Sequence, residues 1–150
     1  MKIAYVSCFE PDDPAEAPLK RDFKKLTSNK GIDLSSAIAQ DAESLWVCFE
    51  SLRLKRLDVL IIGGHGHGSL SGFTVGSEPV RWHELARRLE GRLPKSSTLI
   101  FYSCNGGFPG IGHIFSEGAG PDCVFGPYIR VDPNAMAHAA IAPPTIKPNK

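Results

Sequence analysis

Two short apolar runs break off at polar loops rich in glycine: Val59 to Ile62, followed by Gly63-Gly64-His65-Gly66-His67-Gly68, and Leu99 to Tyr102, followed by Ser103-Cys104-Asn105-Gly106-Gly107. Both runs are β-branched or aromatic and too short for helices, which predicts buried parallel strands. A further strand is predicted over Lys2 to Phe9, emptying into an acidic, proline-containing loop from Glu10 to Pro18. Leu19, Phe23 and Leu26 then recur at helical spacing among lysines and arginines, and Asn29 with Gly31 ends that amphipathic segment. Ile32 to Ala39 is read as a second strand. From Asp41, a capping residue, Ala42, Leu45, Trp46, Phe49 and Leu52 trace the stripe of a helix packed on a sheet.

Beyond the His65 loop, Gly68 to Pro79 reads as a glycine-rich excursion or short hairpin over the site. Trp82, Leu85, Ala86, Leu89 and Leu93 form the next helical stripe, stopped by Pro94. After the Cys104 loop a short helix is expected around Ile111, Ile114 and Phe115, closed by Gly118. A fifth strand follows from Cys123 to Ile129. Asp132-Pro133 opens a last helix from Asn134 to Ile141, and the proline-rich remainder reads as a flexible tail over 142–150. The alternation predicts an α/β fold in one domain, 1–141, with a mostly parallel, doubly wound sheet of about five strands.

Composition narrows the partners. With 150 residues, 42% of them hydrophobic, one core is affordable and a second domain is not expected. A net charge of +1 offers no footprint of a nucleic-acid binder, and Lys20, Arg21, Lys24 and Lys25 read as a solvated helix face. No basic-then-apolar leader and no run of roughly eighteen apolar residues occurs, so no membrane association is expected. The cysteines at 8, 48, 104 and 123 are widely spaced, without a Cys-x-x-Cys pair, which favours reduced thiols and a cytoplasmic location over a disulfide scaffold. The glycine loops carry neither a Walker lysine nor dinucleotide-binding spacing, and no cofactor is implied.

Reacting groups in an open α/β sheet collect at the carboxyl ends of its strands, and adjacent strands lie only about 4.8 Å apart. Two such loops bring the imidazole of His65 beside the thiol of Cys104. A free cysteine is only a few per cent thiolate at pH 7, but a loop opening a helix aims backbone N–H groups at the sulfur and lowers its pKa. His65 then moves the proton, and the backbone N–H groups of Gly66 and Cys104 are candidates for the oxyanion hole. Cys8, Cys48 and Cys123 read as buried apolar residues. His67 is a rival for the working histidine, but strand register favours His65.

A hydrophobic strand into Gly64-His65-Gly66, then another into Ser103-Cys104-Asn105-Gly106, resembles the caspase-like (clan CD) cysteine peptidases. The Ser-Cys-x-Gly-Gly form is closest in style to CHAT domains and to self-processing protease domains of bacterial toxins. The resemblance implies a caspase-like three-layer sandwich and a thiol endopeptidase whose histidine is His65 and whose nucleophile is Cys104. The caspase Gln-Ala-Cys-x-Gly is absent, and Tyr102 stands where metacaspases place an aspartate. In the family, the pocket for the residue before the cleaved bond lies near the strand-one loop. Here that loop carries Glu10, Asp12 and Asp13, an acidic lining that favours arginine or lysine.

Two other readings compete. His65, His67 and Cys104 would supply three zinc ligands, although Ser69 stands where a metallo-β-lactamase-like site wants aspartate. A caspase-like fold also serves as a catalytically silent interaction or sensing module, since fold alone secures no activity. The expected partner is a peptide or protein substrate. Family members commonly continue past the fifth strand, whereas here prolines follow Ile141, so a homodimer or partner subunit is expected to cover that strand's edge.

Overall fold

The computed structural model describes residues 1–66, 72–102 and 123–125. The helices expected after Cys104, the tail, His67 and Cys104 itself lie outside the described residues. The main sheet has five parallel strands: β1 (Lys2–Ser7), β2 (Asp33–Ile38), β3 (Val59–Gly63), β7 (Thr98–Tyr102) and β8 (Cys123–Phe125), in the order β2-β1-β3-β7-β8. Between β3 and β7 stands a second, antiparallel sheet of β4 (His65–Gly66), β5 (Gly72–Val75) and β6 (Glu78–Arg81).

Alternation along each main strand sorts the core into two faces. Ala4, Val6, Leu60, Ile62, Leu99 and Phe101 point to one side, where they meet α2 (Ala42–Ser51) and α3 (Trp82–Leu89) through Leu45, Phe49, Leu85 and Leu89. Ile3, Tyr5, Ile61, Ile100 and Tyr102 point to the other, which α1 (Ala17–Thr27) covers with Leu19 and Phe23. The two sides follow from the strand order. Right-handed crossovers leave β1 toward β2 and then return across it to β3, so the helices change face between β1 and β3.

Local chemistry explains the element limits. Asp41 caps α2 as expected: its Oδ1 accepts from the Ser44 N–H at 2.7 Å, and the Ser44 hydroxyl accepts from the Asp41 N–H at 3.0 Å. Helix α1 begins earlier than the proline content suggests, with Pro18 inside its first turn, where a missing N–H costs nothing. Helix α3 ends at Leu89, short of the expected Pro94, because Gly91 turns the chain with φ 71°. Leu93 remains buried although it is no longer helical. The excursion after His65 is a hairpin whose strands insert Phe73, Val75 and Val80 into the core, with the ring of Phe73 stacked on Trp82 at 5.0 Å. Among the described residues the simple β-α alternation is therefore interrupted by an antiparallel sheet built largely from the glycine-rich stretch.

Candidate active site

The strand order reverses between β1 and β3, and that is where a doubly wound sheet opens a crevice at its carboxyl edge. The two strands end together: the Cys8 N–H donates to the Gly63 carbonyl at 2.6 Å. On the far side the Gly64 N–H donates to the Tyr102 carbonyl at 3.1 Å, which ties the end of β3 to the end of β7. His65 follows directly. Its ring is half-exposed, and Nε2 lies 2.6 Å from Oδ2 of Asp13, on the loop that leaves β1.

The loop is built to present that carboxylate. Pro11 and Asp12 occupy the centre of a turn closed by the Asp13 N–H on the Glu10 carbonyl at 3.2 Å, with Asp12 at φ 60°. Proline followed by a positive φ is the pattern of a type II turn, and aspartate tolerates that conformation better than most residues. Asp13 then divides its oxygens: Oδ1 accepts from the Ala15 N–H at 2.9 Å while Oδ2 faces His65. Partial burial raises the Asp13 carboxyl, but the Ala15 N–H and the imidazole outweigh it and hold the group below the usual carboxylate range.

Below the loop an aromatic cluster sets its height. Tyr102 donates its hydroxyl to the Ala15 carbonyl at 2.8 Å, and Tyr5 donates to Oε2 of the buried Glu16 at 2.5 Å. Lys20 neutralises the other oxygen of Glu16 at 3.0 Å. Burial, reinforced by the Glu16 carboxylate, pushes the Tyr5 hydroxyl far up, so it stays a donor. The Phe9 ring meets the imidazole edge-on at 5.1 Å and Tyr102 at 5.9 Å. Space at the strand end is tight: a Cβ on Gly63 would lie 2.6 Å from the Tyr5 hydroxyl, and one on Gly64 2.9 Å from the Thr74 carbonyl. Glycine at both positions is what lets the hairpin and the aromatic cluster close around His65.

Because an ionised carboxylate only accepts, the Asp13 contact makes Nε2 the protonated nitrogen and leaves the lone pair on Nδ1. Nδ1 has no partner among the described residues. Gly66, expected at the oxyanion hole, lies in β4 opposite Phe73 and is half-buried. Of the three acids expected to line a substrate pocket, Glu10 and Asp12 are exposed on the β1 loop, whereas Asp13 is turned to His65. Cys8 and Cys48 are buried, and burial raises both thiols. No group of three or more metal-ligating side chains stands together among the described residues.

Sequence reasoning missed Asp13 as the partner of His65, and it missed Tyr5, Phe9, Glu16 and Tyr102 as the support beneath them. A signal was present: an acid on the β1 loop must stand near the end of β3 once β1 and β3 are neighbours. No helix among the described residues is long and apolar enough to cross a membrane. No protein-family model matches the chain, and no curated protein matches it either.

Proposed function

We propose that the chain is a caspase-like cysteine endopeptidase with a three-layer α/β sandwich, in which Cys104 is the nucleophile and His65 the proton carrier. The observation that carries this reading is the Asp13 carboxylate on Nε2 of His65, at the carboxyl edge where the strand order reverses. It leaves a half-exposed imidazole whose Nδ1 has no partner among the described residues, with the ring held in place by the carboxylate on Nε2. Support comes also from register. Tyr102 pairs with Gly63, and Cys104 follows Tyr102 by two residues, so the chain carrying the thiol departs from the strand next to the one that delivers His65.

In the proposed reaction the Cys104 thiolate attacks the peptide carbonyl carbon, and the backbone N–H groups of Gly66 and Cys104 hold the resulting oxyanion. Protonated Nδ1 gives its proton to the departing amine, leaving a thioester on Cys104. The same nitrogen then draws a proton from water, whose oxygen attacks the thioester and releases the acid. Asp13, on Nε2, fixes the tautomer that leaves the lone pair on Nδ1. The exposed acids Glu10 and Asp12 favour arginine or lysine before the cleaved bond.

The test is treatment of the native protein with a peptidyl acyloxymethyl ketone ending in arginine, with the adduct located by mass spectrometry, alongside hydrolysis of a fluorogenic peptide library. An adduct on Cys104 and hydrolysis lost in both Cys104→Ala and His65→Ala are expected. An adduct spread over all four cysteines, or activity that survives Cys104→Ala, would overturn the assignment.

A further inference from the structure

At the opposite end of the main sheet, roughly 20 Å from His65 along the six residues of β1, a cavity of about 280 Å³ opens between the starts of β1 and β2 and the segment that leaves α2. That segment is a single 3₁₀ turn, Leu54–Arg56, whose residues eclipse at a spacing of three. Leu54 and Leu57 are buried and anchor the turn in the core, which puts Arg53 and Arg56, also three apart, together on the outer side. Both arginines line the cavity with Lys2, Asp33 and Ser35.

Neither guanidinium has an ion pair or hydrogen bond among the described residues, and the Ser35 hydroxyl has no partner there either. Two acids stand close by. Asp58 is engaged by the Lys2 backbone N–H at 2.7 Å, and Asp33 lines the cavity with no ion pair among the described residues. The partial negative charge at the carboxyl end of α2 adds to theirs. Three cations still exceed two carboxylates, and guanidinium groups suit oxyanions because their planar N–H pairs bind two oxygens at once. We infer that this cavity, lined by Arg53, Arg56, Lys2 and Ser35, is a binding site for a small oxyanionic molecule, a phosphate monoester or a carboxylate. The size is just under the ordinary range of about 300–1,000 Å³ for small-molecule sites, so the ligand is metabolite-sized. Asp33 is placed to accept a hydrogen bond from a hydroxyl on it.

The experiment is a thermal-shift titration of the full chain with glycerol 3-phosphate and, separately, succinate, with ionic strength matched throughout by sodium chloride. A melting temperature that climbs with ligand concentration is expected for at least one of the two, and the arm that responds identifies the headgroup. Arg53→Gln and Arg56→Gln should each weaken apparent affinity roughly tenfold. Lys55→Gln, on the same turn but outside the cavity, and Cys104→Ala should bind like the parent, which separates this site from the proposed peptidase. Because both arginines are exposed, their variants should melt in chloride alone as the parent does. No shift with either ligand, or an undiminished shift in the Arg53→Gln/Arg56→Gln double variant, overturns the inference.

Discussion

An imidazole held through Nε2 has Nδ1 as its working atom, and the consequences of that pairing fall on Asp13 first. Asp13→Asn keeps the side chain's size but lets its amide donate to Nε2, which favours the other tautomer. Peptide hydrolysis is expected to fall by roughly 10²–10⁴-fold, the span attributed to general acid–base catalysis, with the protein still folded. Unchanged turnover would show that the contact is only structural. The carboxyl's depressed pKa also has a pH signature. Since the folded value lies below the unfolded one of about 3.9, the contribution to stability is fully present above that range and is lost as pH falls through the folded value. Urea unfolding of the parent and Asp13→Asn should thus show a stability gap that is constant near neutrality and closes in strong acid. The thiols separate by the same physics: burial raises Cys8 and Cys48, so iodoacetamide at pH 8 should modify Cys104 well before either. Equal rates would contradict that order.

Named hydrogen bonds join the strand ends around the site, and each is a place to break it. The Tyr102 hydroxyl spans from β7 to the β1 loop. Tyr102→Phe removes one hydrogen bond and leaves the Ala15 carbonyl without that donor, which should cost about 0.5–1.5 kcal/mol in denaturant unfolding and lower turnover by letting the Asp13 loop drift. Stability lost without any effect on turnover would disconnect the loop from catalysis. Gly64→Ala is harsher, since the atom it approaches at 2.9 Å is the backbone carbonyl of Thr74 rather than a side chain able to swing away. A penalty of about 1–3 kcal/mol is expected, and a variant as stable as the parent would mean that β4 is not held against β5 as described. The hairpin is also where sequence patterning reached furthest and then stopped. The glycine-rich stretch from Gly68 to Pro79 read as an excursion or short hairpin, but that Phe73, Val75 and Val80 enter the main core depends on contacts across the chain.

Among the described residues β8 ends the sheet on one side and β2 on the other, where Ile38 is 66% exposed. Strand edges are normally covered. Specific activity is therefore expected to rise with protein concentration, together with a dimeric mass by light scattering; constant activity on dilution with a monomeric mass would show that one chain suffices. The parallel strands, their buried runs, the capped helix at Asp41 and the position of His65 after a strand were legible in the sequence, because period, length and glycine punctuation are local properties. Two features were not. The acids of the β1 loop read alike in one dimension, and only the side-by-side placement of β1 and β3 turned Asp13 to His65 while leaving Glu10 and Asp12 exposed. The arginines at 53 and 56 carry no signal of their own in one dimension, and only the 3₁₀ turn pinned by Leu54 and Leu57 puts both on the cavity at the start of the sheet. Local patterning specifies what each segment becomes, whereas which side chains meet is set by burial of the two sheet faces, a property of the whole chain.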